Sequence, residues 1–500
     1  MIMALPLVLC CVAAALLYRW LGAPGWSRSD RLRWALAWAP AVAFGLPSCA
    51  LFAARWCGLD GALPWSLGVC GALAALELAV RCGRRGAPLG EPPATSPGNP
   101  AGAGTAAGGP EALSPNGVRA PRLAFALRVA SALLLATTAL LLLQTFRTWQ
   151  RAQPEGMWDA VAIWNSSARF LARTEADRLP AVFAALSEGH PEYPLLLGAS
   201  IAAQWELAGN ESSAVPLGMG LAFALGLAAA LHLLVRLCGA TWFAGPAVLL
   251  VFSTPATWKW AFAQVADLPL AYMACAAALP LVAALDLRSR LGPPAVLSGF
   301  VLGLLPWTKA EGLILAAALA GPFVGLALLR GRPWPDLLRR PLPWALGMLP
   351  GVLALILFKL TWAPGVPARA SFLRGGGKWT QLLDDERWSR VAAATLGHLD
   401  PRTGAPLWGF VWPLLGLGLL FWGHRLRLRT APGTVLLAAA AAATFTSYAF
   451  AFVLSPFDLE WHLGSALDRL LLQLLPLAVA VVCCLGGSGP DSTGEAPPPG

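Results

Sequence analysis

Runs of about twenty apolar residues recur along this chain, separated by short polar turns, and each is long enough for a helix to cross a bilayer core of about 30 Å. Thirteen such runs cover residues 2–18, 34–54, 63–80, 123–143, 214–235, 241–257, 268–285, 293–308, 312–329, 342–361, 405–423, 432–454 and 468–486. They predict an all-α, polytopic membrane protein of about 13 transmembrane helices. The opening run, Met1–Leu17, lacks a basic segment before it and an obvious small-residue cleavage site. It reads as a first span, not a cleaved signal peptide.

Composition agrees with that pattern. Apolar residues make up 57% of the 500 and charged residues 12%, whereas soluble domains carry about 25% charge. The net charge of +10 comes almost wholly from arginine. It is better explained by cytoplasmic loops that collect basic residues to set topology than by nucleic-acid binding. The ten cysteines show no CxxC spacing. Neither a structural zinc site nor a disulfide framework is expected.

The basic loops also set an orientation. Arg19, Arg28, Arg31 and Arg33 mark one cytoplasmic loop, and Arg81, Arg84, Arg85, Arg119 and Arg122 another. Later ones follow at Arg288 and Arg290, at Arg330, Arg332, Arg339 and Arg340, and at Arg425, Arg427 and Arg429. These loops all fall on one side only if the short run Leu195–Leu207, which holds Gln204 and Glu206, does not span. Residues 191–211 are therefore expected to lie in the outer interface. Residues 144–213 then form one large outward loop, of a length uncommon without a function. The chain divides into a three-span extension (1–80), a flexible cytoplasmic linker (81–122), a transmembrane module (123–485) and a disordered tail (486–500).

The outward loop opens on Trp158–Arg173. At 100° per residue, Trp158, Val161, Trp164, Ala168 and Leu171 share one face, and Asp159, Ser166 and Arg173 the other. This predicts an interfacial helix with its tryptophans in the membrane and Asp159 raised toward water. A packing helix with Asp159 near its positive end is the plainer alternative. Next, His190-Pro191-Glu192-Tyr193-Pro194 forms a stiff extended turn before the following apolar segment.

Four more polar clusters sit at span ends. Lys259, Gln264 and Asp267 precede the 268–285 run, where Asp267 is either a functional carboxylate or a helix cap. Lys309 and Glu311 form either a surface pair or part of a polar cavity. Arg374 and Lys378 flank three glycines, which suits an anion as well as it suits a mobile basic loop. Asp458, Glu460 and His462 precede Asp468 and Arg469, which are expected to pair with each other. The Asp458–His462 spacing is not diagnostic of a metal site.

These residues together resemble a known family. WDAVAIWNSSARF, HPEYPLLL, ADLPLAY, WTKAEGL and HLGSALDRLLLQLLP, in that order, are similar to segments of the bacterial GT-C glycosyltransferases. That superfamily includes the protein O-mannosyltransferases and the aminoarabinose transferases of lipid A. The resemblance spans roughly residues 123–485. It implies a multi-span enzyme, in a bacterial inner membrane, that uses a polyprenyl-phosphate sugar as donor on the periplasmic or exterior face. The acceptor hydroxyl would belong to a glycan, lipid or protein.

The resemblance places Asp159 as the catalytic carboxylate of the first outward loop, a general base for an inverting transfer. Many members carry two adjacent acids there, whereas this chain has Trp158-Asp159 with Glu155 upstream. His190, Glu192, Tyr193, Asp267, Lys309, Glu311, Arg374, Lys378, His462 and Arg469 are the candidate substrate-binding residues. No cofactor and no resident metal are assigned, and no nucleic-acid partner. The competing classes are a multi-span transporter or lipid flippase and a non-catalytic scaffold. A transporter would place its ionisable residues near the midplane on broken helices of two related halves.

Overall fold

The computed structural model of the chain describes residues 4–21, 27–85, 136, 138–140, 142–186, 190–286, 293–330, 341–363, 379–426 and 431–487. Every regular element among the described residues is helical. Seven helices are long and apolar enough to cross a membrane: α2 (Arg28–Trp56), α8 (Ala214–Leu237), α11 (Asp267–Asp286), α13 (Glu311–Leu329), α14 (Pro341–Thr361), α18 (Pro432–Val453) and α19 (Leu459–Gly487). Long apolar helices of this kind suit a multi-pass membrane protein.

The thirteen apolar runs do not all become full-length helices. Those at Leu5–Trp20, Thr241–Phe252 and Pro293–Thr308 fall short of 18 residues, whereas the 63–80 run lies within the 24-residue helix Ala62–Arg85. The run 241–257 breaks at Ser253–Thr254, where Pro255 opens a new helix, α10 (Pro255–Phe262). The run 405–423 divides at Gly409, with φ +56°, into α16 (Ala405–Trp408) and α17 (Val411–Trp422). Most of the 123–143 run, of the 81–122 linker and of the 486–500 tail lies outside the described residues.

The central element is α11, whose spanning stretch is buried along its whole length. It packs against α2, α8, α12 (Pro293–Thr308), α13, α18 and α19. Pro40 inside α2 shows how closely this core is knit. The Tyr272 hydroxyl of α11 enters the α2 ladder, donating to Ala37 O at 2.8 Å and accepting from Ala41 N at 3.1 Å. The N-terminal helices are thus packed into the bundle. On the far side of α12, α14 comes into backbone contact through Gly299, Gly303, Gly347 and Gly351. A Cβ at Gly299 would lie 2.0 Å from Trp344 O, and one at Gly347 2.0 Å from Val296 O. Two GxxxG pairs face each other here, the small-residue packing common among membrane helices. The outer side of α14 exposes Leu342, Leu346, Leu349, Leu353, Ile356 and Leu360.

The 144–213 region holds several helices. Residues 142–152 form α4. A π-helical turn, Ala160–Trp164, leads into α5 (Asn165–Arg173), and α6 (Leu179–Ala185) and α7 (Leu196–Ala208) follow. At 13 residues α7 is roughly 20 Å long, too short to span. Residues 196–205 are all buried, against α2 and α5. Its Glu206 pairs with buried Arg55 at 2.5 Å and accepts from Trp65 Nε1 at 2.8 Å.

Candidate functional site

The site is built around Asp267, the first residue of α11, where a carboxylate complements the positive helix end. Its side chain has no exposed surface. It accepts three hydrogen bonds, from Lys309 Nζ at 2.9 Å, Arg469 Nε at 2.8 Å and Gln473 Nε2 at 2.7 Å. A buried carboxylate is tolerated only when its oxygens are occupied in this way. No ligand can reach Asp267 without displacing one of these partners. Its geometry is that of an anchor for two cations.

Each cation also holds a second carboxylate. Arg469 Nη1 donates to Asp159 Oδ2 at 2.5 Å, and Lys309 Nζ lies 2.9 Å from Glu311 Oε1. The result is an alternating chain, Asp159–Arg469–Asp267–Lys309–Glu311. Its interior is sealed, Lys309 being only 5% exposed, while its ends stay open, Asp159 at 23% and Glu311 at 24%. Burial alone would lower the Lys309 pKa, but Asp267 and Glu311 outweigh it and hold the ammonium charged, above its ordinary value. Arg469 does not pair with its neighbour Asp468, as the sequence suggested. Asp468 instead binds Lys259 at 3.2 Å. The side chains at 468 and 469 leave the helix about 100° apart, so they reach different partners. Trp260 lies beneath both cations, 4.3 Å from Lys259 Nζ and 5.6 Å from Arg469 Cζ.

Asp159 is brought to this chain by an irregular loop. Gly156 takes φ +80°, and a Cβ there would lie 2.6 Å from Ala263 O. Gln264, at φ +59°, donates from Nε2 to Pro154 O at 2.8 Å and accepts from Asn165 Nδ2 at 3.1 Å. Asn165 also donates to Glu155 O at 3.0 Å. This polar knot ties the loop to the segment just before α11. The left-handed backbone of Gln264 is strained, being a non-glycine residue, and the hydrogen bonds hold it there. Glu155, the acid upstream of Asp159, pairs with Arg169 at 2.5 Å.

The regular amphipathic helix read from Trp158–Arg173 is replaced by the π-turn. Its i→i+5 bonding widens the turn and rotates all that follows. Trp158 is 67% exposed and Val161 44%, whereas Trp164 is 1% and Ala168 and Leu171 fully buried. The five residues therefore do not share one face, and Trp164 packs in the protein core.

Tyr193 stacks on His190 with ring centroids 4.6 Å apart and tilts against Trp164 at 5.8 Å. Burial raises its phenol pKa to about 12, and nearby Glu311 adds to this while Lys309 and Arg469 oppose it. The aromatic group thus borders the charged chain. His190 Nδ1 lies 3.2 Å from Glu192 Oε1, and the Glu192 carbonyl accepts from Lys359 Nζ. His462 stands two helical turns before Arg469 on the same side of α19, with Nδ1 2.8 Å from Ser455 Oγ. Arg374 and Lys378 lie outside the described residues.

Gln473 and Tyr448 complete the site and were not among the sequence candidates. The Tyr448 hydroxyl donates to Gln473 Oε1 at 2.5 Å, which turns the amide so that its nitrogen meets Asp267. A glutamine one turn after Arg469 inside an apolar run was the available signal. Among the described residues, no group of three or more His, Cys, Asp or Glu side chains is placed to hold a metal ion. No protein-family model, curated protein or solved structure matches the chain.

Proposed function

We propose that this chain is a glycosyltransferase of a bacterial inner membrane. It moves a sugar from a polyprenyl-phosphate donor to an acceptor hydroxyl on the non-cytoplasmic face, with inversion at the anomeric carbon. The observation that carries the reading is the half-open charged chain: a partly exposed carboxylate, Asp159, gripped by a cation that is itself anchored on a buried anion. Asp159 removes the acceptor proton as the hydroxyl oxygen attacks the anomeric carbon. The bond from that carbon to the phosphate oxygen breaks, and polyprenyl phosphate departs with the electron pair. Arg469 faces the developing phosphate charge, and buried Lys309 adds its field from behind. At rest, Arg469 Nη1 holds Asp159. A donor phosphate competes for that guanidinium and releases the carboxylate to act as base. The exposed leucine side of α14 suits the isoprenoid tail.

A transporter is the second reading, favoured by the full burial of Asp267. Against it, Asp159, Asp267, Lys309 and Glu311 lie at helix starts and in loops, with Arg469 inside a helix, and they are not set on broken helices of two related halves.

The test is sugar transfer by the purified full chain in lipid nanodiscs with polyprenyl-phosphate sugars. Asp159→Asn is expected to slow turnover by about two to four orders of magnitude. Wild-type rates in that variant would remove Asp159 as base. Failure of the wild-type chain to turn over any such donor would remove the enzyme.

A further inference from the structure

The helix α4 has two unlike faces. Leu142, Phe146 and Trp149 pack on the core, with the Phe146 ring 5.4 Å from that of Phe262. The other face carries Leu143, Gln144, Arg147, Thr148 and Arg151, and Leu140 sits in the helical turn just before it. Their spacing of three and four residues sets them in one stripe. An open groove follows that stripe and is lined by all six. Leu140 is 68% exposed and Leu143 44%, and both arginines are exposed.

Neither guanidinium has an anionic partner among the described residues. Glu155, one turn beyond Arg151, is taken by Arg169 at 2.5 Å. Thr148 turns its hydroxyl proton back to Gln144 O at 2.9 Å. The donors left on the stripe are therefore two guanidiniums and the Gln144 amide. Like charges one helical turn apart repel each other, and an anion shared between them turns that repulsion into two charge-assisted hydrogen bonds.

The stripe changes character along its length, and this limits what the anion is. Its leucines close the apolar run 123–143. Arg147 and Arg151 lie about 6 and 12 Å further along the axis, and helical side chains lean back toward the N-terminal end. The headgroup layer flanking a bilayer core is about 5–8 Å deep on each side. With Leu143 at the edge of the core, both guanidiniums reach that layer. The matching ligand has a net negative charge at headgroup depth and a hydrocarbon chain directly beneath it. A zwitterionic lipid would bring an ammonium group to the two arginines. A free phosphate would leave the leucines without a partner.

We propose that this stripe of α4 binds an anionic phospholipid, with the phosphodiester between Arg147 and Arg151 and an acyl chain against Leu140 and Leu143. The site is separate from the transfer chemistry and does not depend on that reading.

The experiment is native mass spectrometry of the delipidated full chain in detergent, titrated with phosphatidylglycerol or with phosphatidylcholine of the same acyl chains. Arg147→Gln/Arg151→Gln changes two exposed side chains and leaves the packed face intact. One phosphatidylglycerol per chain is expected to be held about thirty-fold less tightly by this variant than by the wild type, with phosphatidylcholine unchanged. Arg178→Gln/Arg402→Gln removes the same charge from exposed positions elsewhere and is expected to retain wild-type binding. Excess inorganic phosphate is expected not to displace the lipid. Equal phosphatidylglycerol binding by the wild type and the α4 variant, an equal loss in the control variant, or displacement by inorganic phosphate would overturn the proposal. So would a polyprenyl phosphate that outcompetes phosphatidylglycerol on the wild type and loses that advantage in the α4 variant, since the stripe would then belong to the transfer donor.

Discussion

Arg469 donates from Nε to Asp267 Oδ2 at 2.8 Å, joining two residues 202 positions apart in the chain. The same guanidinium reaches Asp159 with Nη1. One planar side chain thereby couples the start of α11, the middle of α19 and the loop before the π-turn.

Removing the anion at the centre of this arrangement leaves Lys309 with Glu311 alone and Arg469 with Asp159 alone. Asp267→Asn is expected to cost about 3–5 kcal/mol, the usual penalty for breaking one side of a buried ion pair. Asp159→Asn should cost less, because that carboxylate is partly in water. Thermal unfolding of both variants in the same detergent tests this. A fall in Tm for Asp267→Asn no larger than that for Asp159→Asn would show that Asp267 is not the anchor.

Arg469→Lys keeps the charge but loses the two-pronged geometry, since one ammonium cannot reproduce the fork that meets both carboxylates. Turnover is expected to fall at least about ten-fold, the effect of a misplaced charge at a reacting centre, with a smaller loss of stability than Asp267→Asn. Steady-state transfer rates beside unfolding curves separate the two effects. A variant with wild-type turnover would argue against a role for the guanidinium shape.

Gly156 and Gly209 both have positive φ, +80° and +67°, but only Gly156 is enclosed. A Cβ at 156 would press on Ala263 O, while one at 209 meets nothing within 4 Å. Gly156→Ala is expected to destabilise by about 1–3 kcal/mol through strain and to reduce transfer by displacing Asp159. Gly209→Ala should cost only the roughly 1–2 kcal/mol of its left-handed backbone and leave transfer intact. Parallel Tm and rate measurements decide it, and equal effects on transfer would remove the loop's positioning role.

Glu211 accepts from Arg173 at 2.7 and 2.6 Å, and this hydrogen bonding holds its carboxyl below the ordinary value of 4.5. A depressed carboxyl pKa contributes stability above the unfolded value and loses it as pH falls through the folded value. The Tm gap between the wild type and Glu211→Gln should thus be constant from neutral pH down to about 5 and shrink below about 4.5. The effect is small because Arg173 is largely solvated. A gap that widens on acidification would reverse the assignment.

Several features of the site could be read directly from the chain. Asp159, Asp267, Lys309, Glu311 and Arg469 stood out because ionisable residues at the ends of apolar runs are costly and therefore few. Their partners did not. Asp468 lies next to Arg469 in sequence and was the obvious mate, yet helical geometry turns the two apart. Gln473 and Tyr448 looked like ordinary members of apolar helices until Gln473 was placed between Tyr448 and Asp267. The wheel drawn through Trp158–Arg173 failed because a π-turn changes the helical period, and no residue type announces one.

Apolar runs of helical length, with charge excluded from them, were enough to determine an all-helical, multi-span chain, because burying a polar backbone in an apolar medium leaves few other solutions. Tertiary structure alone decided which runs stay long, that α7 is buried in protein, and which carboxylate meets which cation. Those outcomes depend on the packing of helices distant in sequence, where a few ångströms separate an ion pair from two isolated charges. They also depend on local turns at Gly156 and Gln264, the latter strained and held by partners that one-dimensional spacing does not reveal.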